Sequence, residues 1–155
     1  MTIRRFREQD AREVSELIIH TMRISNARDY PSETLEELIR HQQPADVLTR
    51  ASWTHFYVAL EGEKIIGCGA IGPYWDSLEE SSLFTIFVLP EWQGKGVGRK
   101  IIETLEQDEF ALRARRIEIP ASITGLEFYR KLGYDFKNGN RELDEEQLYR
   151  LEKYR

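Results

Sequence analysis

Apolar positions change period several times along the chain. Ile3 to Phe6 reads as a short strand, and after Asp10 the residues Val14, Leu17, Ile18 and Met22 fall on one helical face. Pro31 and Ser32 open a second helix carrying Leu35, Leu38 and Ile39, with Thr34 and Glu37 spaced as a capping box and Pro44 as its expected end. Trp53 to Leu60 and Lys64 to Tyr74 read as two strands joined by the turn Glu61-Gly62-Glu63, a hairpin. Leu83 to Leu89 is a nearly continuous apolar run, the pattern of a strand covered on both faces, and it stops at Pro90. From Val97 the residues Ile101, Leu105 and Leu112 recur at helical spacing toward Arg113, Arg115 and Arg116, cations suited to a helix C-terminus. Arg116 to Ala121 is another short strand. Ser122 is placed to cap a helix through Leu132, with Gly133 as its C-cap, and Tyr134 and Phe136 suggest a strand. Gln147 to Lys153 fits strand or helix by periodicity, and its position after a turn-rich segment favours a strand. The order β-α-α-β-β-β-α-β-α-β-β predicts an α/β chain with a mixed sheet and helices packed on it.

Composition narrows what such a chain does. At 155 residues, with no repeat, low-complexity tract or linker, residues 1–155 are expected to form one domain. The 27 acidic against 22 basic residues, a net charge of -5, argue against a general nucleic-acid binder, so any anion site must be local. Cys68 is the only cysteine, and no Cys/His cluster has zinc spacing, so no metal site and a reducing, cytoplasmic setting are expected. Arg4, Arg5, Arg7 and Glu8 interrupt the N-terminus before any signal-like apolar run, and no stretch of about 18 apolar residues calls for a membrane.

The local anion site has a candidate. Between the apolar strand and the following helix, Gln93-Gly94-Lys95-Gly96-Val97-Gly98-Arg99-Lys100 carries glycine at alternate positions and three cations without a carboxylate. Glycine permits positive φ and leaves no Cβ in the way, so successive N–H groups can converge on a phosphate at the helix start. A tight structural connection with solvated lysines is the competing reading. Neither the nucleotide P-loop spacing nor the Rossmann fingerprint is present.

Gln93-Gly94-Lys95-Gly96-Val97-Gly98, after a strand ending Val88-Leu89-Pro90, resembles the Gln/Arg-x-x-Gly-x-Gly/Ala signature of the GNAT superfamily of acyl-CoA-dependent N-acyltransferases. Downstream, Phe128-Tyr129-Arg130-Lys131-Leu132-Gly133-Tyr134 is similar to that family's Phe-Tyr-x-x-Leu-Gly-Phe/Tyr block. The resemblance implies a mixed, mostly antiparallel central sheet with splayed fourth and fifth strands, flanked by about four helices. It implies acetyl-CoA as cosubstrate, its pyrophosphate on the amides of Gln93, Gly94, Lys95, Gly96, Val97, Gly98 and Arg99, and its pantetheine arm on the backbone of Phe87, Val88 and Leu89. Pro120, which has no N–H to offer a ladder, fits the end of a strand where pairing is lost. Ser122 stands where many relatives have Asn beside the coenzyme, and is either a contact there or a helix cap.

The resemblance further implies transfer of acetyl to a primary amine by direct attack through a tetrahedral intermediate. Tyr129 matches the family's general acid toward the CoA thiolate, and a phenol with pKa near 10 suits that task. The alternative is a core tyrosine on one face with Leu126 and Leu132. The apolar strand offers no carboxylate as base, which leaves Glu79, Glu80, Thr85 through a water, and His55 as candidates. The acceptor site of relatives maps onto Arg28, Asp29, Tyr30, Trp53, His55, Tyr74, Trp75, Asp76, Glu79 and Glu80, whose acidic and aromatic character suits a cationic small molecule or peptide amine. Dimers are common in the family. A non-catalytic acyl-CoA sensor of the same fold and a plain interaction scaffold are the competing functions.

Overall fold

The computed structural model describes residues 1–155. The strands are β1 (Thr2–Arg5), β2 (His55–Glu61), β3 (Lys64–Pro73), β4 (Glu80–Val88), β5 (Arg116–Ala121), β6 (Asp135–Phe136) and β7 (Tyr149–Tyr154). The helices are α1 (Ala11–Ile24), α2 (Ser32–Arg40), α3 (Pro44–Trp53), α4 (Val97–Leu105), α5 (Glu109–Leu112) and α6 (Leu126–Lys131). One sheet runs β1-β2-β3-β4-β5-β7-β6, antiparallel throughout except for the β4–β5 pair. The mixed sheet and the strand at the tail are as expected.

Two short helices go beyond expectation. Pro44 starts α3 instead of ending α2: its missing N–H is one that a first helical residue does not use, and Asp46 accepts from the Gln43 N–H at 2.9 Å to close the first turn. Trp53 therefore ends a helix, and β2 begins only at His55. The helix expected through Leu112 breaks after Leu105, where the Asp108 carboxylate accepts from Phe110 N–H at 2.9 Å and starts α5. Leu112 is consequently exposed. Thr34 lies inside the first turn of α2, which begins straight after Pro31, so it caps nothing.

The core is one cluster of 31 buried residues between the sheet and its helices. β3 lies so close to α4 that a Cβ on Gly69 would come within 2.7 Å of the Ile101 side chain. Two irregularities in β4 open the sheet. First, Ala70 pairs with Phe84 and Cys68 with Phe87, so Thr85 and Ile86 oppose Gly69 alone, a bulge that puts Thr85 at φ 56°. Second, β4 and β5 pair only from Glu80–Ser82 to Arg116–Glu118 and then separate. α6 ends as planned by its sequence: Gly133 at φ 99° lets Gly133 N–H reach Arg130 O and Tyr134 N–H reach Tyr129 O, both at 3.1 Å.

Candidate active site

A cavity of about 280 Å³ fills the opening between β4 and β5. Ile86, Phe87 and Val88 supply one wall, Ser122, Thr124, Gly125, Phe128 and Tyr129 the opposite one, Thr21, Ser25 and Asn26 from the end of α1 a third, and Gln93, Gly94 and Gly98 one end. The turn after α1 is tied to the far wall. Tyr30 OH donates to Gln147 O at 2.9 Å and accepts from Ile123 N–H at 3.0 Å, while Thr124 donates to Asp29 at 2.7 Å.

The glycine loop leaves its donors free. Gly94 and Gly96 sit at φ 75° and 87°, a left-handed turn that bends the chain into α4, and the N–H groups of Gly94 through Arg99 donate to nothing in the protein. The first helical bond is Lys100 N–H to Gly96 O. A run of free amides at the start of a nine-residue helix is an arrangement that favours an anion. Gln93 differs from expectation, because its N–H is committed to Pro90 O; its side chain instead donates to Val88 O at 2.9 Å and Ser25 Oγ at 3.1 Å, bridging loop, strand and α1. Lys95 folds its ammonium over the Trp92 ring, 5.0 Å from the centroid. Arg99 is exposed and Val97 is buried in the core.

Phe87 and Val88 line the cavity, where the Val88 carbonyl accepts from the Gln93 side chain at 2.9 Å. Leu89 does not: its N–H donates to Ile66 O at 2.9 Å and its carbonyl accepts from Trp92 N–H at 2.8 Å, so both backbone groups are spent. Ser122 lines the cavity and also accepts from Gly125 N–H at 3.0 Å, a cap for the turn before α6.

Tyr129 is buried at the cavity wall, edge-on to Phe128 with centroids 5.1 Å apart, and its hydroxyl makes no hydrogen bond within the protein. Burial, with the nearby Cys68 sulfur adding to it, pushes its phenol above the ordinary range, so it holds its proton throughout neutral pH. Cys68 lies across from Phe87, donates to Thr85 O at 3.3 Å, and is itself pushed up to about 12 by burial.

Glu80 is not in this cavity. It lies at the closed end of β4, where Arg116 donates to it at 2.6 Å and holds its carboxyl below the usual range, the opposite of what a base needs. Glu79 is exposed and pairs with Arg115 at 3.3 Å, and His55 is turned to Asp108 at 2.8 Å; neither lines the cavity.

The expected acceptor residues separate into three places. Tyr30 is buried and its phenol is occupied by the two bonds given above, to Gln147 and Ile123. Tyr74 lies under Arg116 and Lys137, at 4.8 and 5.2 Å, and accepts from Lys137 at 3.1 Å. Trp53 and Trp75 line a second, shallow hollow with Pro73, Asp76 and Phe84. Thr21, Ser25 and Asn26 were not anticipated as cavity residues. Their signal is that Thr21 and Ser25 continue the Val14, Leu17, Ile18 stripe with hydroxyls where apolar residues belong.

Free amides at one end, an open strand pair and an unbonded phenol meet at this one cavity. The Thr21 hydroxyl on this wall is wholly shut away from solvent and has no hydrogen-bond partner in the protein. A family model described as an acetyltransferase (GNAT) domain matches residues 52–135, more than half of the chain, which belongs to that family. Similar folds are a GCN5-related N-acetyltransferase from Rhodopseudomonas palustris (TM-score 0.80, 21% identity, 99% of this chain and 94% of that one) and the PaiA N-acetyltransferase from Thermoplasma acidophilum, solved with coenzyme A (TM-score 0.82, 17% identity, 99% and 98%). An acetyltransferase from Streptococcus agalactiae aligns at TM-score 0.74 with 20% identity over 99% and 97% of the chains. No curated protein sequence matches. No group of three or more His, Cys, Asp or Glu is arranged to hold a metal, and no helix is long and apolar enough to cross a membrane.

Proposed function

We propose that the protein transfers an acetyl group from acetyl-CoA to a primary amine. The observation that carries this reading is the joining of free amides, open β4 edge and unbonded Tyr129 phenol in one cavity. When bound, acetyl-CoA supplies an acetyl group activated as its thioester. The amides from Gly94 to Arg99 hold the pyrophosphate, with the dipole of α4 behind them. The edge of Phe87 and Val88 would align the arm, with the thioester toward the Tyr129 wall of the cavity. As the free-base amine forms the C–N bond and the C–S bond breaks, Tyr129, protonated there, would give its proton to the departing sulfur, and the surplus proton on the nitrogen would restore the phenol. The cavity wall holds no carboxylate or imidazole, so the amine enters as its free base.

The test is amine-dependent release of the CoA thiol by the purified protein over a panel of primary amines. Release that rises with pH toward the acceptor's own pKa supports the reading; tight CoA binding with no release from any amine overturns it. That second outcome is what a non-catalytic acyl-CoA sensor gives, a reading favoured by the missing base.

A further inference from the structure

Ser25 to Tyr30, the residues that follow α1, form a strap across the gap where β4 and β5 part. On the β4 side, Ser25 Oγ accepts from the Gln93 side chain at 3.1 Å, and the same amide donates to Val88 O at 2.9 Å. On the β5 side, Tyr30 accepts from Ile123 N–H at 3.0 Å and Asp29 accepts from Thr124 at 2.7 Å. Between the two ties sits Asn26. It is only 7% exposed and lines the cavity, yet its carboxamide takes part in none of the bonds that hold the strap. A buried side-chain amide ordinarily has a partner. Unlike the Thr21 oxygen, this one is not wholly shut away, so a ligand in the cavity can reach it.

Other groups around the gap are already engaged. Both backbone groups of Leu89 are spent within the protein, Val88 O holds the Gln93 amide, and Ser122 Oγ holds the Gly125 N–H. A coenzyme arm laid from the glycine loop to Tyr129 would pass beneath the strap, and that arm carries secondary amides which leave water on entering. Each brings one N–H and one C=O. A primary carboxamide matches both, donating through Nδ2 and accepting at Oδ1, which no single hydroxyl on these walls does with the same geometry. We propose that the Asn26 carboxamide hydrogen-bonds a secondary amide of the pantetheine arm, from the α1 side of the cavity. The strap is then a contact surface for the coenzyme as well as a bridge between two strands. This rests on the coenzyme half of the transferase reading and is independent of turnover.

Calorimetry tests it with CoA and with 3′,5′-ADP, which lacks the arm, on the wild type, Asn26→Ala and Asn26→Asp. Aspartate fills the same space but cannot donate, so it serves as the second variant should alanine disturb the strap. CoA affinity is expected to fall about three- to tenfold in both variants, with 3′,5′-ADP affinity unchanged. The ligand-free melting temperature should stay level, because no bond inside the protein is lost. Unchanged CoA affinity overturns the proposal. Equal losses for CoA and 3′,5′-ADP also overturn it, by placing the effect at the glycine loop through the Ser25–Gln93 tie. A lower melting temperature in both variants makes Asn26 a structural part of the strap, and a raised amine KM with CoA affinity intact moves it to the acceptor; either result overturns the contact. A wild type that binds no CoA removes the coenzyme reading and this contact together. Asn26-dependent CoA binding without release from any amine keeps the contact and overturns transfer alone.

Discussion

The two ends of the β4–β5 pair are made from the same strands and treat polar groups in opposite ways. At the closed end, Glu80 to Ser82 run beside Arg116 to Glu118, and the buried Arg116 donates to Glu80, Glu118 and Glu152 at 2.6, 2.9 and 3.0 Å. Lys137 completes the set on Glu118 at 2.9 Å. Every charge there is matched within the protein. At the open end the strands part, Thr85 is held in a left-handed conformation, the loop amides are unpaired, and the Tyr129 and Thr21 hydroxyls have no partner. Of these groups only the Thr21 oxygen is shut away from solvent, and buried polar groups are ordinarily satisfied, so it stands apart from loop amides that lie mostly at exposed residues. The closed end satisfies its polar groups from within, and the open end does not.

Tyr129→Phe tests the open end most severely. It removes one hydroxyl with no partner in the free protein, so melting temperature and CoA affinity should hardly change, whereas turnover should fall about 10²- to 10⁴-fold. Steady-state rates beside calorimetric CoA affinity check this; full activity across pH would remove Tyr129 from the chemistry. The closed end should give the inverse result. Arg116→Ala takes a shared partner from three carboxylates, of which Glu118 keeps Lys137, and should lower the unfolding free energy by about 3 kcal/mol in urea titrations. CoA affinity of the folded fraction should remain.

Features that are local in sequence were readable, and those made by distant partners were not. The glycine loop and the Phe-Tyr block are each contiguous, so their resemblance to the family's motifs shows in single stretches of sequence. Tyr30 was taken for an acceptor residue because a tyrosine beside Arg28 and Asp29 gives no hint of Gln147, its partner 117 positions away. Glu80 read as a free carboxylate in a loop because Arg116, 36 positions on, is invisible from its neighbours. Pro44 misled in another way: the same missing N–H ends one helix and is harmless at the start of the next. Thr21 and Ser25 were legible as polar breaks in an apolar stripe, a signal as local as the glycines.

Gly96→Val asks whether the loop belongs wholly to the open end. No atom lies within 4 Å of a Cβ at this position, so the penalty comes from forcing a β-branched residue to φ 87° and from filling the space over the amides. CoA affinity should drop tenfold or more by calorimetry. A smaller effect belongs to acid. Arg116 lowers the Glu80 pKa, so this pair stabilises the fold above the ordinary carboxylate range, about 4.3, and its contribution is lost as pH falls through the depressed value. Glu80→Gln should flatten that acid limb of the stability profile and leave the neutral-pH rate of the open end intact.

Thr21→Val gives the smallest shift and the sharpest distinction. A buried hydroxyl bonded inside the protein would cost about 1–3 kcal/mol to remove, because its partner is left unsatisfied. The Thr21 hydroxyl has no such partner, so the near-isosteric valine should leave the ligand-free protein as stable as before, or slightly more so. If the cavity is where that oxygen finds its bond, CoA should then bind several-fold more weakly, while 3′,5′-ADP, which reaches only the amide loop, binds unchanged. Lost stability in the free protein would return Thr21 to the closed, self-satisfied kind of site. Unchanged CoA affinity would mean that its missing bond lies outside the ligand's reach.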